Sequence, residues 1–284
     1  MGKKNTAFAT SLILLVVFFG CGSGQYNIEQ GNFPDTTYKS TGAVLKGTYR
    51  VRTAPTFTLQ LSGGVNLGMA ELSSNYENTF DASQFINGYN FGVKNGYGFS
   101  AIGKIPLHKE GNIRLNISAG YNKFVSNLFS NDSPFGDVSY NVLSFGVGLE
   151  NSFNPTYKLK PYVAGELQAN MISGKANIND PNYYSSRNIT IKSTFRIGYM
   201  IYSGIEYMLS NRVALNMGLK LTNANQILKK SELGSDPNEV SVRDEKVDAP
   251  NYPMEFAGFK NFLYTSFYMG INFYFGVKDI IYKF

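Results

Sequence analysis

The residues from Asn261 to Phe284 read NFLYTSFYMGINFYFGVKDIIYKF. Successive side chains of an extended chain point to opposite sides. Leu263, Thr265, Phe267, Met269, Ile271, Phe273 and Phe275 therefore share one face, and Tyr264, Ser266, Tyr268, Gly270, Asn272 and Tyr274 share the other. One face is apolar; the other is small, polar or tipped with a tyrosine hydroxyl. Such a stretch is too apolar on one side to face water, and too short and too alternating to be a spanning helix. It reads as the closing strand of a membrane β-barrel.

Working outward from it, seven earlier segments repeat the pattern. Thr56–Ala70 sets Phe57, Leu59, Leu61, Val65, Leu67 and Met69 against Thr58, Gln60, Ser62, Gly64, Asn66 and Gly68. The same alternation runs through Phe91–Leu107, Ile113–Val125, Val138–Glu150, Lys160–Ser173, Thr194–Leu209 and Arg212–Asn223. An amphipathic helix would repeat its apolar residues every three or four positions, so the period excludes helices. The segments run past ten residues, enough for the ~9–11-residue tilted crossing of a bilayer. Ordinary soluble strands hold about 5–6. Connections alternate too: short at His108–Asn112, Asn151–Leu159 and Ser210–Asn211, long at Glu71–Asn90, Ser126–Asp137, Gly174–Ser193 and Ala224–Lys260. Short turns on one rim and long loops on the other are the pattern of outer-membrane barrels. The expected fold is all-β, a transmembrane antiparallel up-and-down barrel of eight strands. A soluble eight-stranded calyx alternates in the same way with its greasy face inside, and periodicity alone does not separate in from out.

Composition agrees with a barrel. Aromatics make up 15% of the 284 residues without a single Trp, and 29 residues are Gly. Charged residues are 16%, below the roughly 25% of soluble domains. The net charge of +6 is scattered along the chain; a nucleic-acid groove needs a basic stripe, so no nucleic-acid partner is expected. One Cys and one His exclude a disulfide framework and a Cys/His metal cage.

The first residues have the layout of an export signal. Lys3 and Lys4 precede the apolar run Leu12–Phe19, and small residues follow in GCGSGQ. Cleavage after Gly24 gives a signal peptide over 1–24. Alternatively Cys21, preceded by Gly20 as a lipobox requires but with Phe18 in place of the usual Leu, is a lipidation site. Residues 25–47 are polar and without period, a periplasmic lead-in, and 48–284 carry the barrel.

Three stretches, KPYVAGELQ (Lys160–Gln168), SGIEYMLSNRVALNMGLKL (Ser203–Leu221) and MGINFYFG (Met269–Gly276), resemble the strands of small bacterial outer-membrane β-barrel proteins. This is the OmpA/OmpX/OmpW-like group in its Bacteroidetes-type form. The resemblance covers roughly residues 48–284 and implies an integral protein of the bacterial outer membrane, in contact with its lipid. It also implies insertion by the outer-membrane barrel assembly machinery, which reads an aromatic-ended last strand; Ile280, Tyr282 and Phe284 match that ending. The clean alternation stops at Phe275 and the tail has opposite parity, so either Gly276 carries a bulge or the tail leaves the barrel.

Chemistry is sparse. His108 sits in a polar turn beside Lys109 and Glu110 with no nucleophile near it in sequence, so no catalytic residue, cofactor or metal is assigned and the protein is not read as an enzyme. The best-defined constellation is a set of charges on the polar face: Lys104, Arg114, Glu166, Arg196, Glu206 and Arg212. Buried ions must pair, so these form either an internal plug or the lining of a narrow ion path. The charges of Ala224–Lys260 are too dispersed for a calcium loop and read as a solvated loop. Tyr89, Phe91, Phe129, Tyr140, Phe195 and Tyr264 lie near strand ends, where girdles form. The functional expectation is a structural or surface-interaction barrel, with an extracellular or periplasmic protein as partner. The alternatives are a narrow channel for small polar solutes or ions, and a hydrophobic-ligand carrier.

Overall fold

The computed structural model describes residues 48–72, 91–130, 133–155, 157–179, 187–229, 239–240, 242, 244 and 260–283. The calls on the export signal, Cys21, Tyr89 and Phe284 lie outside them. The described strands are β1 (Thr48–Arg52), β2 (Phe57–Met69), β3 (Asn95–Pro106), β4 (Ile113–Ser130), β5 (Ser133–Ser152), β6 (Leu159–Ile178), β7 (Arg187–Met208), β8 (Val213–Ile227), β9 (Glu239–Val240), β10 (Leu263–Phe275) and β11 (Asp279–Lys283). The strands from β2 to β8 pair antiparallel in chain order, and β10 joins β8 to β2. This closes an eight-stranded up-and-down barrel. Phe275 lies opposite Phe57, so the chain enters and leaves the ring on the rim of the short turns.

Closure settles which face is inside. Leu61, Val65, Phe99, Ile117, Phe145, Leu167 and Phe267 point outward, 45–67% exposed, whereas Thr58, Gln60, Asn66, Asn116 and Asn272 line the lumen at 0–1%. A calyx would be the reverse. A continuous apolar surface of this extent is intolerable in water but is the solvated face in lipid. No helix among the described residues is long and apolar enough to cross a membrane; the strands do the crossing.

The wall is uneven. Strands β4 to β7 hold 18, 20, 20 and 22 residues, while β2, β3, β8 and β10 hold 13, 12, 15 and 13. The expected long connection Ser126–Asp137 is therefore mostly strand, and Gly174–Ser193 is cut back to the stretch between Ile178 and Arg187. In these extensions the polarity inverts. On β5 the outward residues are Leu143, Phe145, Val147 and Leu149 low on the wall, then Asp137, Ser139 and Asn141 above. The inward residues change from Ser144 and Glu150 to Val138, Tyr140 and Val142. On β6, Ile172, Ala176 and Ile178 turn inward while Lys175 and Asn177 turn out. The barrel thus rises beyond its lipid belt as a water-facing sheet around an apolar core.

Two strand ends are also settled, the first as a correction to the expected start of a strand at Phe91 and the second as a choice between the two readings of the tail. Phe91 and Val93 precede β3 and are buried. The chain leaves β10 at Gly276, whose φ of +73° suits glycine, and β11 pairs with β1 in a two-stranded sheet of its own. Ile280 and Tyr282 therefore belong to that sheet and not to the closing strand of the barrel.

Candidate functional site

The lumen is the candidate site, and it is built in three levels. At the short-turn end, Arg114 on β4 lies directly opposite Glu150 on β5, so strand register alone brings them together. Lys104 from β3 and Glu206 from β7 complete the group across the lumen. Lys104 Nζ is 2.7 Å from Glu150 Oε2 and 2.9 Å from Glu206 Oε1; Arg114 Nη1 is 3.0 Å from Glu150 Oε1 and 3.2 Å from Glu206 Oε1. All four side chains are at most 2% exposed. Tyr274 donates its hydroxyl proton to Glu206 Oε2 at 2.7 Å, and Lys160 Nζ lies 4.3 Å from the centre of the Tyr274 ring. Two cations against two carboxylates, with a phenol donating as well, offset one another's charge in a space closed to water.

The middle level is polar and tyrosine-rich. Glu166 accepts hydrogen bonds from the Ser118 hydroxyl and, at 2.8 Å, from the Tyr202 hydroxyl, to which Asn116 Nδ2 donates in turn. One register row carries Tyr162, Gly204, Gly218 and Tyr268 on β6, β7, β8 and β10. The two glycines leave room for the two rings to fold over them, and the Tyr162 and Tyr268 hydroxyls meet at 2.6 Å. Beside this row Lys220 Nζ donates to Ser100 Oγ at 2.8 Å and lies 4.5 Å from the Tyr268 ring centre.

The loop end is sealed by hydrocarbon. Phe262, fully buried just before β10, is the hub of an aromatic cluster: its ring centre is 5.2 Å from Phe91, 5.4 Å from Phe124 and 5.6 Å from Tyr140. Tyr264 packs edge-on against Phe124 at 5.0 Å. Edge-to-face rings at these separations are favourable beyond their buried area. Next to this plug, Arg196 grips Asp244 with two parallel hydrogen bonds of 2.8 Å, and Asn225 Nδ2 donates to Asp244 Oδ2 at 2.8 Å. Asp244, in the long connection after β8, is thereby fixed to the wall.

Of the six charges chosen from sequence, Lys104, Arg114 and Glu206 meet in one cluster. Glu166 stands apart on its own hydroxyl donors, and Arg196 belongs to the loop end. Arg212 is a correction. It lies exposed in the turn before β8, and its backbone carbonyl accepts from the Tyr274 N–H at 2.8 Å. The turn ends one residue later than the alternation suggested, because the Ser210 hydroxyl caps the N–H groups of Arg212 and Val213. Glu150, Lys160 and Lys220 were missed although each has the inward parity of its strand, Glu150 with Ser144 and Lys220 with Gly218. The girdle assignment is also corrected for Phe91, Tyr140 and Tyr264, which fill the plug, while Phe195 does face outward. Phe129 lies in β4. His108 is exposed in the β3–β4 turn.

No family model matches the chain, and no curated protein matches it. Among solved structures it is similar to Neisserial surface protein A, at 13% identity over 81% of this chain and 99% of that one, with a TM-score of 0.42. It is similar to the outer membrane protease OmpT from Escherichia coli at 13% identity over 83% and 100% of the two chains, TM-score 0.38. The N-terminal β-barrel domain of Pseudomonas aeruginosa OprF gives 13% identity over 78% and 99%, TM-score 0.33. Superpositions this loose carry no argument, and the barrel stands on the pairing register of its own strands.

Proposed function

We propose that the protein is an integral outer-membrane barrel with a structural or surface-interaction role, a closed and non-conducting mount for the loops on its tall rim. The observation that supports this most is the filled lumen. A path for ions would have to pass the Lys104–Arg114–Glu150–Glu206 cluster at one end and the Phe262 plug at the other. An eight-stranded barrel is just wide enough for side chains to fill. Insertion by the barrel assembly machinery and a protein partner on the loop rim or on the lead-in belong to the same proposal. Purified protein reconstituted in a planar bilayer tests it. The expected record shows no discrete conductance steps; reproducible single-channel steps would overturn the reading in favour of a narrow channel.

A further inference from the structure

The rim of the short turns carries its charge unevenly. The β3–β4 turn, residues 107–112, sets Lys109 beside Glu110. The next two turns lie side by side because β6 pairs with β7: residues 153–158 lead into β6, and residues 209–212 join β7 to β8. Neither of these turns contains an acidic residue, and each holds one exposed cation, Lys158 and Arg212. The Met208 N–H donates to the Lys158 carbonyl at 2.8 Å, and Met208 lies opposite Ala214, two residues on from Arg212. The two cations therefore sit at strand ends two places apart, about 10 Å at the spacing of neighbouring strands. Neither forms an ion pair among the described residues.

The surroundings of this pair face lipid. Lys158 Nζ stands 4.9 Å from the centre of the Tyr207 ring. Tyr207 points outward at 42% exposure, so the ammonium is held on the lipid side of the wall and not over the lumen. Phe153, Tyr157, Leu159 and Leu209 beside it are 47–58% exposed. Rings and leucines at the very ends of the strands carry the apolar belt down to the turns, to the depth of the headgroups. A cation at that depth attracts an anionic headgroup. We infer that this sector of the rim is a docking site for an anionic phospholipid, its phosphate between Lys158 and Arg212 and its acyl chains along Leu159, Tyr207 and Leu215. A zwitterionic lipid brings its own cation to the same place, which two unpaired cations disfavour. The inference rests on the reading of the wall as lipid-facing. Continuity with that wall favours a lipid over an acidic protein, which the charges alone would also suit.

The test uses the full chain folded in detergent, mixed with phosphatidylglycerol and phosphatidylcholine of identical acyl chains. Native mass spectrometry counts the lipids bound. The expected result is a preference for phosphatidylglycerol of about fivefold for each cation. It should fall to near parity in the double variant Lys158→Gln, Arg212→Gln and stay unchanged in Lys109→Gln. Equal binding of the two lipids by the parent overturns the site and leaves the lipid-facing wall standing; binding of neither overturns both. A preference that persists in the double variant, or falls as far in Lys109→Gln, also overturns the inference, because the attraction is then the overall charge of the protein. Gel mobility of the unboiled protein shows whether the double variant is folded. Should it fail to fold, Arg212→Gln alone decides: a reduced preference supports the site, and an unchanged one overturns it.

Discussion

The position of each charge at the residue scale decides what its loss does. Glu206 sits within 3.2 Å of both Lys104 and Arg114, and all three are shut away from water. Glu206→Gln leaves two cations facing one carboxylate, and removing a partner from a buried ion pair costs about 3–5 kcal/mol. The urea midpoint of the detergent-folded protein reads this directly. Arg212→Ala, at an exposed turn, should stay within about 0.5 kcal/mol of the parent in the same assay. Phe262→Ala removes the hub of the plug and should cost about 3–5 kcal/mol, in the range of large-to-small core changes. A loss under about 1 kcal/mol would mean the plug does not hold the loop end together.

Glycines and tyrosines at the element scale set the shape of the wall. In the row Tyr162, Gly204, Gly218, Tyr268 each ring lies over a neighbour that has no side chain. A Cβ at Gly218 would meet the Ser203 carbonyl and, at 2.6 Å, the Tyr268 hydroxyl. Gly218→Leu should therefore push Tyr268 off Tyr162 and destabilise the barrel by about 1–3 kcal/mol, the usual penalty of overpacking. The measurement is gel mobility of the unboiled protein during a temperature ramp: the folded, faster band should disappear earlier than in the parent. Strand ends follow the same local logic. Gly276 turns the chain out of the ring with a positive φ, so the parity change read after Phe275 marks an exit and not a bulge within the closing strand.

Depth in the membrane governs tolerance at the scale of the whole molecule. Val147 faces outward within the apolar belt, while Ser139 faces outward on the same strand above it, where polarity has inverted. Val147→Arg should cost about 2–4 kcal/mol in lipid vesicles, the penalty for an arginine near the midplane of a barrel. Ser139→Arg should fall within about 0.5 kcal/mol of the parent. Equal penalties at the two sites would place the upper wall inside the bilayer. The strands β8, β10, β2 and β3 form the short side of the ring, and the taller β4–β7 wall rises past them around the plug.

The alternation of Phe57 to Met69 and of Leu263 to Phe275 was sufficient to predict strands, their number and the placement of short turns, because period two is a local property of the backbone. It also put Lys104, Arg114 and Glu206 on one face. The sequence did not show that Arg114 meets Glu150 and Glu206 together while Glu166 meets only hydroxyls, since those partners lie on strands brought opposite by register and closure. Nor did it show the upper half of β5, where Val138, Tyr140 and Val142 carry the opposite parity to Leu143 and Phe145. An alternating pattern says that two faces differ; which face meets lipid, and at what height the two exchange roles, is decided only when the sheet closes and acquires an inside.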